Sequence, residues 1–337
     1  MKAVRIEKFG LDGLSLVEMP APSQPRKGEI IVKLKAISLN FRDLLMIKGL
    51  YNPDQPLPLI PCSDGAGEVV AVAEDVQSVK VGDRVVGTFF QNWNAGPYEK
   101  RYGKAVLGGP LDGTLAEYIC LKEEGVVPIP RHLSFEEAST LPCAALTAWN
   151  AIVEQAKVTP GQTVVVQGSG GVSLFALQFA LACGAEVIFL SRNEEKIKRA
   201  KELGAREGIN TSRCENWSHE LKELTEGRGA DVIVNVLGAD LNECVKSVSF
   251  GGLICAIGIL KGVRTEVDVV SILMRQVKIQ GIYVGNRLMF ESMNRAIEKL
   301  NIKPIIGQHF SFDRYREAFS LLESGNHFGK IVIKMAE

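Results

Sequence analysis

The chain has 337 residues, of which 46% are hydrophobic, which suits a globular protein of about two domains. Lys and Arg together number 39, and Asp and Glu also number 39, so the formal net charge is zero. This balance argues against nucleic acid or an anionic membrane as the main partner.

Cysteine usage and the apolar tracts bear on the compartment. The seven cysteines occur singly, which predicts a reducing, cytoplasmic environment. The opening MKAVRIEKFG has the alternation of a strand, so no secretory leader is expected. The longest apolar tract, 173–190, is interrupted by Gln178, Gly184 and Glu186, which predicts a helix and a strand rather than a membrane span.

The first third of the chain is rich in β-strand patterns. GEIIVKLKAISLN alternates apolar and other residues with a period of two, and GEVVAVAEDV and VKVGDRVVG continue in that style. A long loop follows within 88–117. Its aromatic residues would suit either a flat apolar ligand or packing within the domain; they are Phe89, Phe90, Trp93, Tyr98 and Tyr102.

From Thr163 a strand, a glycine turn, a helix and a second strand follow one another. Val164–Val166 is apolar on both faces, as in a buried parallel strand. The turn matches G-x-G-x-x-G except that Ser173 stands at the third glycine. A helix that opens from glycines binds phosphate, although an ordinary turn without a ligand is the alternative. The predicted pyrophosphate site comprises Gly168, Ser169, Gly170, Gly171 and Val172.

The second strand ends without the acid that usually binds the ribose of NAD. Ser191 and Arg192 stand there, with Lys196 one helical turn on. A hydroxyl and two cations favour the 2′-phosphate of NADP(H). The alternative is that these cations, like Lys198, form only the solvated face of a helix over 194–203.

Strands are predicted further on at 208–210, 231–236, 252–257 and 278–284. Six strands with intervening helices predict an α/β fold with a doubly wound parallel Rossmann sheet. A helix over 288–300 and a tail of β and loop character end the chain.

The ordered segments SLNFRDLLMIKGLY, PCSDGAGEV, VGDRV, LTAWNA, QGSGGVS and FGKIVI resemble the medium-chain dehydrogenase/reductase superfamily over nearly the whole chain. The chain looks most like its zinc-free quinone oxidoreductases and related alcohol dehydrogenase-like proteins, and SLNFRD is similar to enoyl reductase domains of polyketide synthases. The resemblance implies a β-rich GroES-like catalytic domain at 1–128, completed by 286–337, and a Rossmann domain at 129–285.

Zinc members of the superfamily bind a catalytic metal through Cys, His and Cys, with an acid beside the His. The matching positions in this chain hold Asn40, Ser63 and Cys143, with Asp64 as the acid. An amide, a hydroxyl and one thiol are a poor zinc site, and residues 88–117 contain none of the four cysteines of the family's structural zinc. No metal is therefore expected.

The resemblance also implies site residues. Asn40 can donate a hydrogen bond to a substrate carbonyl from the place of the metal. The tyrosine that quinone reductases carry a few residues later is Leu45 in this chain, so Tyr51 is the nearest phenol, with loop packing as its alternative. Asp43 is interpreted as a structural acid. Further cofactor contacts implied by the family are Thr147, Gly258, Ile259, Tyr283, Val284, Phe328 and Lys330.

These patterns predict an NADPH-dependent, zinc-independent oxidoreductase that transfers hydride to a quinone or to a conjugated carbonyl, an enone or enoyl group. One alternative is a zinc-free NADP-dependent alcohol dehydrogenase. Another is a non-catalytic NADPH-binding or RNA-binding protein, which the even charge does not favour. The family further implies a homodimer, paired through the last Rossmann strand near 279–284.

Overall fold

The structure, a computed structural model, describes residues 1–214 and 216–336. The chain forms two compact units. The discontinuous unit combines Met1–Leu146 with Asn286–Glu337, and the continuous unit is Thr147–Gly285. Every helix in the described part of the chain falls short of the length and apolarity that a bilayer span requires.

Strands and helices alternate along most of the chain. The strands are β1 Lys2–Ile6, β2 Leu14–Glu18, β3 Glu29–Ser38, β4 Asp64–Val72, β5 Arg84–Gly87, β6 Tyr118–Lys122, β7 Val126–Pro128, β8 Thr163–Gln167, β9 Glu186–Ser191, β10 Glu207–Asn210, β11 Ala230–Asn235, β12 Val248–Ala256, β13 Lys278–Gly281, β14 Ile306–Ser311 and β15 Lys330–Lys334. The α-helices are α1 Phe41–Ile47, α2 Phe135–Ala138, α3 Leu146–Trp149, α4 Gly171–Ala182, α5 Glu194–Glu202, α6 Trp217–Leu224, α7 Leu241–Ser247, α8 Val269–Arg275, α9 Arg287–Leu300 and α10 Tyr315–Ser324. Wider π-helical turns, Leu141–Ala145 and Asn150–Gln155, flank α3, and 3₁₀ turns occupy Leu11–Gly13, Lys100–Lys104, Glu123–Gly125 and Phe312–Arg314.

The continuous unit contains a six-stranded parallel sheet in the order β10-β9-β8-β11-β12-β13. Val165 at its centre pairs with Ile188 on one side and Ile233 on the other, and all three are buried. The valine run forms a strand because both of its faces are covered. The prediction of an α/β doubly wound sheet is confirmed.

The discontinuous unit contains a sheet in the order β14-β15-β3-β4-β5-β7, with β6 also paired to β3. β15 runs antiparallel to β3, and Val332 lies opposite Ser38. The tail of the chain is therefore built into the sheet formed by the first third. This pairing ends beside Asn40, which follows β3 by two residues.

Residues 129–146 lie in the discontinuous unit, whereas the sequence prediction assigned them to the Rossmann domain. Ser134 begins α2 by accepting the Glu137 N–H at 3.1 Å, and the Glu137 carboxylate accepts the Ser134 N–H at 2.8 Å. Arg84 of β5 donates to the Leu133 carbonyl at 2.6 Å, and Lys334 of β15 pairs with Glu136 at 2.7 Å. These contacts hold residues 129–146 to strands of the discontinuous unit. The helical periodicity of the sequence could not predict them, because it gives no information on which strands a helix packs against.

Candidate active site

Asn40 lies at the N-terminus of α1. Its carbonyl accepts the Asp43 N–H at 2.9 Å, and its own N–H donates to the Asp43 carboxylate at 2.8 Å. The helix ends at Ile47 and is capped by Lys48, and Gly49, at φ 71°, makes the left-handed turn that follows. The short helix therefore holds the Asn40 side chain, which is 8% exposed, at the end of β3.

The Asn40 amide is oriented by Lys330. The Lys330 ammonium donates to Asn40 Oδ1 at 2.6 Å and to the Leu39 carbonyl at 2.6 Å, and the residue is only 4% exposed. An ammonium group has donors only, so the amide oxygen must face it. The amide nitrogen consequently lies on the other side, 3.4 Å from Ser63 Oγ.

Ser63 and Asp64 complete a group that we call the Asn40 cluster: Asn40, Ser63, Asp64 and Lys330. Ser63 Oγ donates to Asp64 Oδ1 at 2.6 Å, and the Cys143 N–H donates to Asp64 Oδ2 at 3.1 Å. Burial raises the pKa of Asp64 to about 6, although Lys330 and the Ser63 and Asn40 hydrogen bonds oppose the rise. Asp64 is therefore ionised at neutral pH, and the cluster joins a buried cation to a buried anion.

A second buried ion pair lies next to the cluster. Arg42 donates to Asp43 Oδ1 at 3.2 Å and also to the carbonyls of residues 107–109 at 3.0–3.3 Å. Asp43 is fully buried and bonded to both Arg42 and the Asn40 N–H. These contacts give Asp43 the structural role that the sequence analysis assigned to it.

The residues at the metal-ligand positions do not fit a zinc ion. Asn40 offers its oxygen to an ammonium group and not to a metal, and Ser63 donates its proton to Asp64. Burial, together with Asp64, raises the pKa of the Cys143 thiol far above its usual range, which disfavours the thiolate that zinc requires. Within residues 1–214 and 216–336, no group of three His, Cys, Asp or Glu side chains is arranged to hold a metal.

Tyr51 lies near these buried charges but is 38% exposed. The Arg42 guanidinium lies 4.9 Å from the centre of its ring, within the range of a cation–π contact. The Tyr51 N–H donates to the carbonyl of Leu45 at 3.2 Å. Tyr51 is therefore next to Leu45, the position at which the related quinone reductases carry their tyrosine.

The long loop is folded on itself through its aromatic residues. Phe89, Phe90, Trp93 and Tyr102 are buried, and Phe90 and Trp93 meet edge to face with ring centres 5.3 Å apart. Tyr98 is 40% exposed and packs on the same rings. All five aromatic side chains therefore take part in packing, and Tyr98, like Tyr51, is also partly at the surface.

The glycine turn of the continuous unit joins β8 to α4. Gly168 has φ 76°, a conformation that favours glycine, and a Cβ on Gly170 would meet open space. Ser173, at the third glycine position, is buried and donates to the Gln167 carbonyl at 2.6 Å. The serine thus binds the helix back to its strand, which is why the fingerprint can depart from glycine there. The N-terminus of α4 is half-buried, has no acidic residue in its first turn and fits a phosphate group.

Two basic residues, Arg192 and Lys196, follow the C-terminal end of β9. Ser191 is 8% exposed and Arg192 is exposed. Burial lowers the pKa of Lys196, and the like charges of Arg192 and Arg199 lower it further. Two acids, Glu194 and Glu195, lie in the first turn of the same helix, and Glu194 binds Asn210 at 2.6 Å and Arg213 at 2.9 Å. The arrangement concentrates positive charge beside a hydroxyl group.

Other predicted cofactor residues follow the carboxyl ends of β12 and β13. Only glycine fits at position 258, because a Cβ there would lie 2.2 Å from the Val236 carbonyl oxygen. Ile259 and Tyr283 are about half exposed, at 45% and 40%. Val284, at φ 52°, is held through its carbonyl by the Asn150 amide at 2.8 Å. Thr147 is buried at the start of the continuous unit.

Phe328 and Lys330 belong to the discontinuous unit, and both are buried. Sequence reasoning placed Lys330 among the cofactor contacts and missed its two bonds to Leu39 and Asn40. It also missed Asp240, which accepts from Gln167 at 2.8 Å and from Asn235 at 2.9 Å. The sequence did carry a signal for this contact. The apolar strands β8 and β11 end in the amide residues Gln167 and Asn235, at the point where the strand order of the sheet reverses.

Known proteins match the chain over most of its length. The alcohol dehydrogenase GroES-like domain family matches residues 26–131, and the zinc-binding dehydrogenase family matches residues 171–300. A zinc-type alcohol dehydrogenase-like protein of Schizosaccharomyces pombe is 41% identical, with 98% of each chain covered. A quinone oxidoreductase-like protein 2 homolog of Nematostella vectensis is 31% identical, over 90% of this chain and 81% of that one. A solved structure of a proposed alcohol dehydrogenase from Sinorhizobium meliloti 1021 has a TM-score of 0.93 and 40% identity, covering 99% and 98% of the two chains.

Proposed function

The chain belongs to the medium-chain dehydrogenase/reductase family and is an oxidoreductase, and on that premise we propose that it uses NADPH to reduce a quinone or a conjugated carbonyl without zinc. The observation that carries the proposal is the Asn40 cluster. A buried amide is oriented by an ammonium group. By the family resemblance, it stands at the position of the first metal ligand. It can hydrogen-bond the substrate oxygen as negative charge develops there.

We propose that the continuous unit holds the cofactor, which supplies a hydride when bound. The turn at 168–172 would bind the pyrophosphate through backbone N–H groups. Ser191, Arg192 and Lys196 would bind the 2′-phosphate, because clustered cations are relieved by an anion. The nicotinamide half would meet Thr147, Gly258, Ile259, Tyr283 and Val284. Phe328 stays a cofactor contact that the family resemblance implies.

Cofactor preference can be tested by fluorescence titration with NADPH and NADH. We expect NADPH to bind at least about tenfold tighter, since one charge-assisted contact contributes roughly 1.5–3 kcal/mol. Arg192→Ala should lose that margin, and Lys198→Ala, which removes an exposed cation of the same helix, should keep it. Equal binding of both cofactors by the wild type would remove NADPH from the proposal.

The reaction can be tested by following NADPH oxidation with quinones and enones, and NADP⁺ reduction with secondary alcohols. We expect turnover with the quinones or enones, and a loss of about 10²–10³-fold in kcat for Asn40→Ala. Asn52→Ala, a loop asparagine that donates to Gln55, serves as the control. Turnover of alcohols alone would favour the second candidate, a zinc-free alcohol dehydrogenase, which the 41% identical relative supports by its name.

Zinc independence has its own test. The purified protein should contain well under one zinc per chain by metal analysis, and a chelator should leave its activity unchanged. The expectation rests on the ammonium of Lys330 beside Asn40, since a buried cation repels a divalent metal at the same place. One tightly bound zinc per chain would overturn it.

We propose a homodimer paired through β13. This strand ends the sheet of the continuous unit, and all four of its residues are exposed. Large apolar side chains are exposed on the same unit, namely Phe250, Val269, Val270, Leu273, Met274 and Ile279. An open strand edge beside apolar surface fits a second copy of the chain. Light scattering should give twice the chain mass, and Met274→Asp should reduce it, whereas Leu16→Asp, on the discontinuous unit, should not.

We propose a cytoplasmic location. Several of the seven cysteines are buried without a disulfide among the described residues, which suits a reducing compartment. Fractionation of cells with a tagged protein tests this, and recovery in a secreted fraction would contradict it.

A further inference from the structure

We infer that Lys330 is a positioning residue of the active site, whose ammonium fixes the Asn40 amide so that it presents N–H groups and not its oxygen to the substrate. The inference rests on the proposed role of Asn40 as the hydrogen-bond donor. It gives Lys330 a task different from the cofactor contact that the sequence suggested.

The sheet brings the two residues together. β15 pairs antiparallel with β3, with Val332 opposite Ser38, and the Leu39 N–H donates to the Ile331 carbonyl at 3.0 Å. Continuing this register by two residues places Lys330 opposite Asn40. Since alternate residues of a strand share a face, the pairing of Val332 with Ser38 sets the position of Lys330.

The amide has no preferred orientation of its own. Turned by 180°, its NH2 group would face the ammonium, donor against donor, and the 2.6 Å hydrogen bond to Oδ1 would be lost. A charge-assisted bond in a buried site is stronger than one between neutral groups. The Ser63 hydroxyl, which donates to Asp64, accepts from the amide nitrogen and supports the same orientation.

Two nearby carboxyl groups, those of Asp43 and Asp64, compensate the charge of the Lys330 ammonium. Asp64 and Asp43 both lie near enough for Lys330 to oppose the rise of their pKa values, while Arg42 pairs with Asp43. Lys330, at 4% exposure, therefore has carboxyl groups close by, and its N–H groups to Leu39 and Asn40 are directed inward. Lys330 therefore affects the reaction by fixing the orientation of the Asn40 amide, and not by contacting the substrate itself.

The test is a double-mutant cycle of Asn40→Ala and Lys330→Met, with Lys330→Arg as the conservative variant. We expect each single substitution to lower kcat by about 10²–10³-fold, and the double variant to be no slower than Asn40→Ala within about threefold, because both remove the same donor. Lys330→Arg should recover kcat to within about tenfold of wild type. The Kd for NADPH should change by less than about twofold in every variant.

Two results would overturn the inference. One is that the two kcat losses multiply in the double variant. The other is that Lys330→Met weakens NADPH binding by about tenfold or more while kcat is kept. If Lys330→Met does not fold, Lys330→Gln, which keeps a donor without the charge, replaces it in the cycle.

Failure of the proposed function is recognised separately. A wild type that oxidises no NADPH with quinones or enones refutes that function, and the four proteins of the cycle still report the contact through urea unfolding. Coupling between the two sites should change the unfolding equilibrium constant by at least about threefold relative to additivity. Additive unfolding free energies would overturn the Lys330–Asn40 contact whatever the substrate.

Discussion

The glycine turn of the continuous unit and the Asn40 cluster of the discontinuous unit are built in opposite ways. The turn uses consecutive residues, 168–172, and offers mainly backbone N–H groups. The cluster draws side chains from positions that are up to 290 residues apart, as Asn40 and Lys330 are. The first should therefore depend on backbone conformation and the second on charge and hydrogen-bond complementarity.

The largest expected effect tests the charge balance beside the cluster. Asp43→Ala removes the partner of Arg42 and the acceptor of the Asn40 N–H, both in a buried site. Breaking a buried pair in this way should lower the free energy of unfolding by about 3–5 kcal/mol in urea titrations. Glu323→Ala, which breaks the exposed pair with Lys48, should cost less than about 1 kcal/mol. If the two substitutions lower the free energy of unfolding equally, the carbonyls of residues 107–109 are enough to stabilise the buried Arg42 guanidinium without Asp43.

The next largest effect is a pH dependence of stability that should come from Asp64. Its pKa is raised by burial to about 6, against about 4 in an unfolded chain. Between these pH values the native protein holds a proton that the unfolded chain has lost, so the contribution of Asp64 to stability falls as the pH rises. The unfolding free energy of wild type minus that of Asp64→Asn should therefore drop by about 2 kcal/mol from pH 4 to pH 7. A flat difference would mean that the folded carboxyl titrates as it does in the unfolded chain.

A smaller effect is expected at the glycine turn. Ser173→Ala removes the hydroxyl that binds α4 to the Gln167 carbonyl and should cost about 1 kcal/mol. Ser173→Gly completes the fingerprint, yet should cost about 1 kcal/mol more, because glycine weakens a helix. Thermal unfolding measures both, and titration should find NADPH affinity unchanged. A gain in affinity with Ser173→Gly would show that the third glycine serves the ligand directly.

The smallest effect is expected at Tyr51. Its ring packs against the Arg42 guanidinium at 4.9 Å, and Tyr51→Phe keeps that ring. We expect kcat to change by less than about threefold in Tyr51→Phe, and KM to rise in Tyr51→Ala as a surface for the substrate is lost. If Tyr51→Phe instead lowers kcat by about 10²-fold, the phenol is a proton donor and the site has a second catalytic residue.

The contrast between the two sites also explains what the sequence could predict. The doubly wound sheet and the turn at 168–172 follow from periodicity and local composition, and the six strands lie close to their predicted positions. The partnership of Lys330 with Asn40 follows from the register of β15 on β3, which no local pattern encodes. The position of residues 129–146 depends likewise on contacts with β5 and β15.

Side-chain identity was informative where it broke a familiar pattern. Asn40 and Ser63 at metal-ligand positions predicted a site of different chemistry, and the structure contains a buried hydrogen-bond network there. Ser173 at a glycine position looked like an imperfect match and is a buried contact. Asp240 was missed because its partners, Gln167 and Asn235, become neighbours only when β8 and β11 pair.

The placement of β15 has a consequence for synthesis on the ribosome. The continuous unit can fold as soon as its own residues have emerged, because every strand of its sheet comes from one stretch of chain. The discontinuous unit must wait with an open edge on β3 until β15 arrives, the last of its strands to be made. Asn40 meets Lys330 only at that moment, so a nascent or prematurely terminated chain would bind nucleotide before it could catalyse anything.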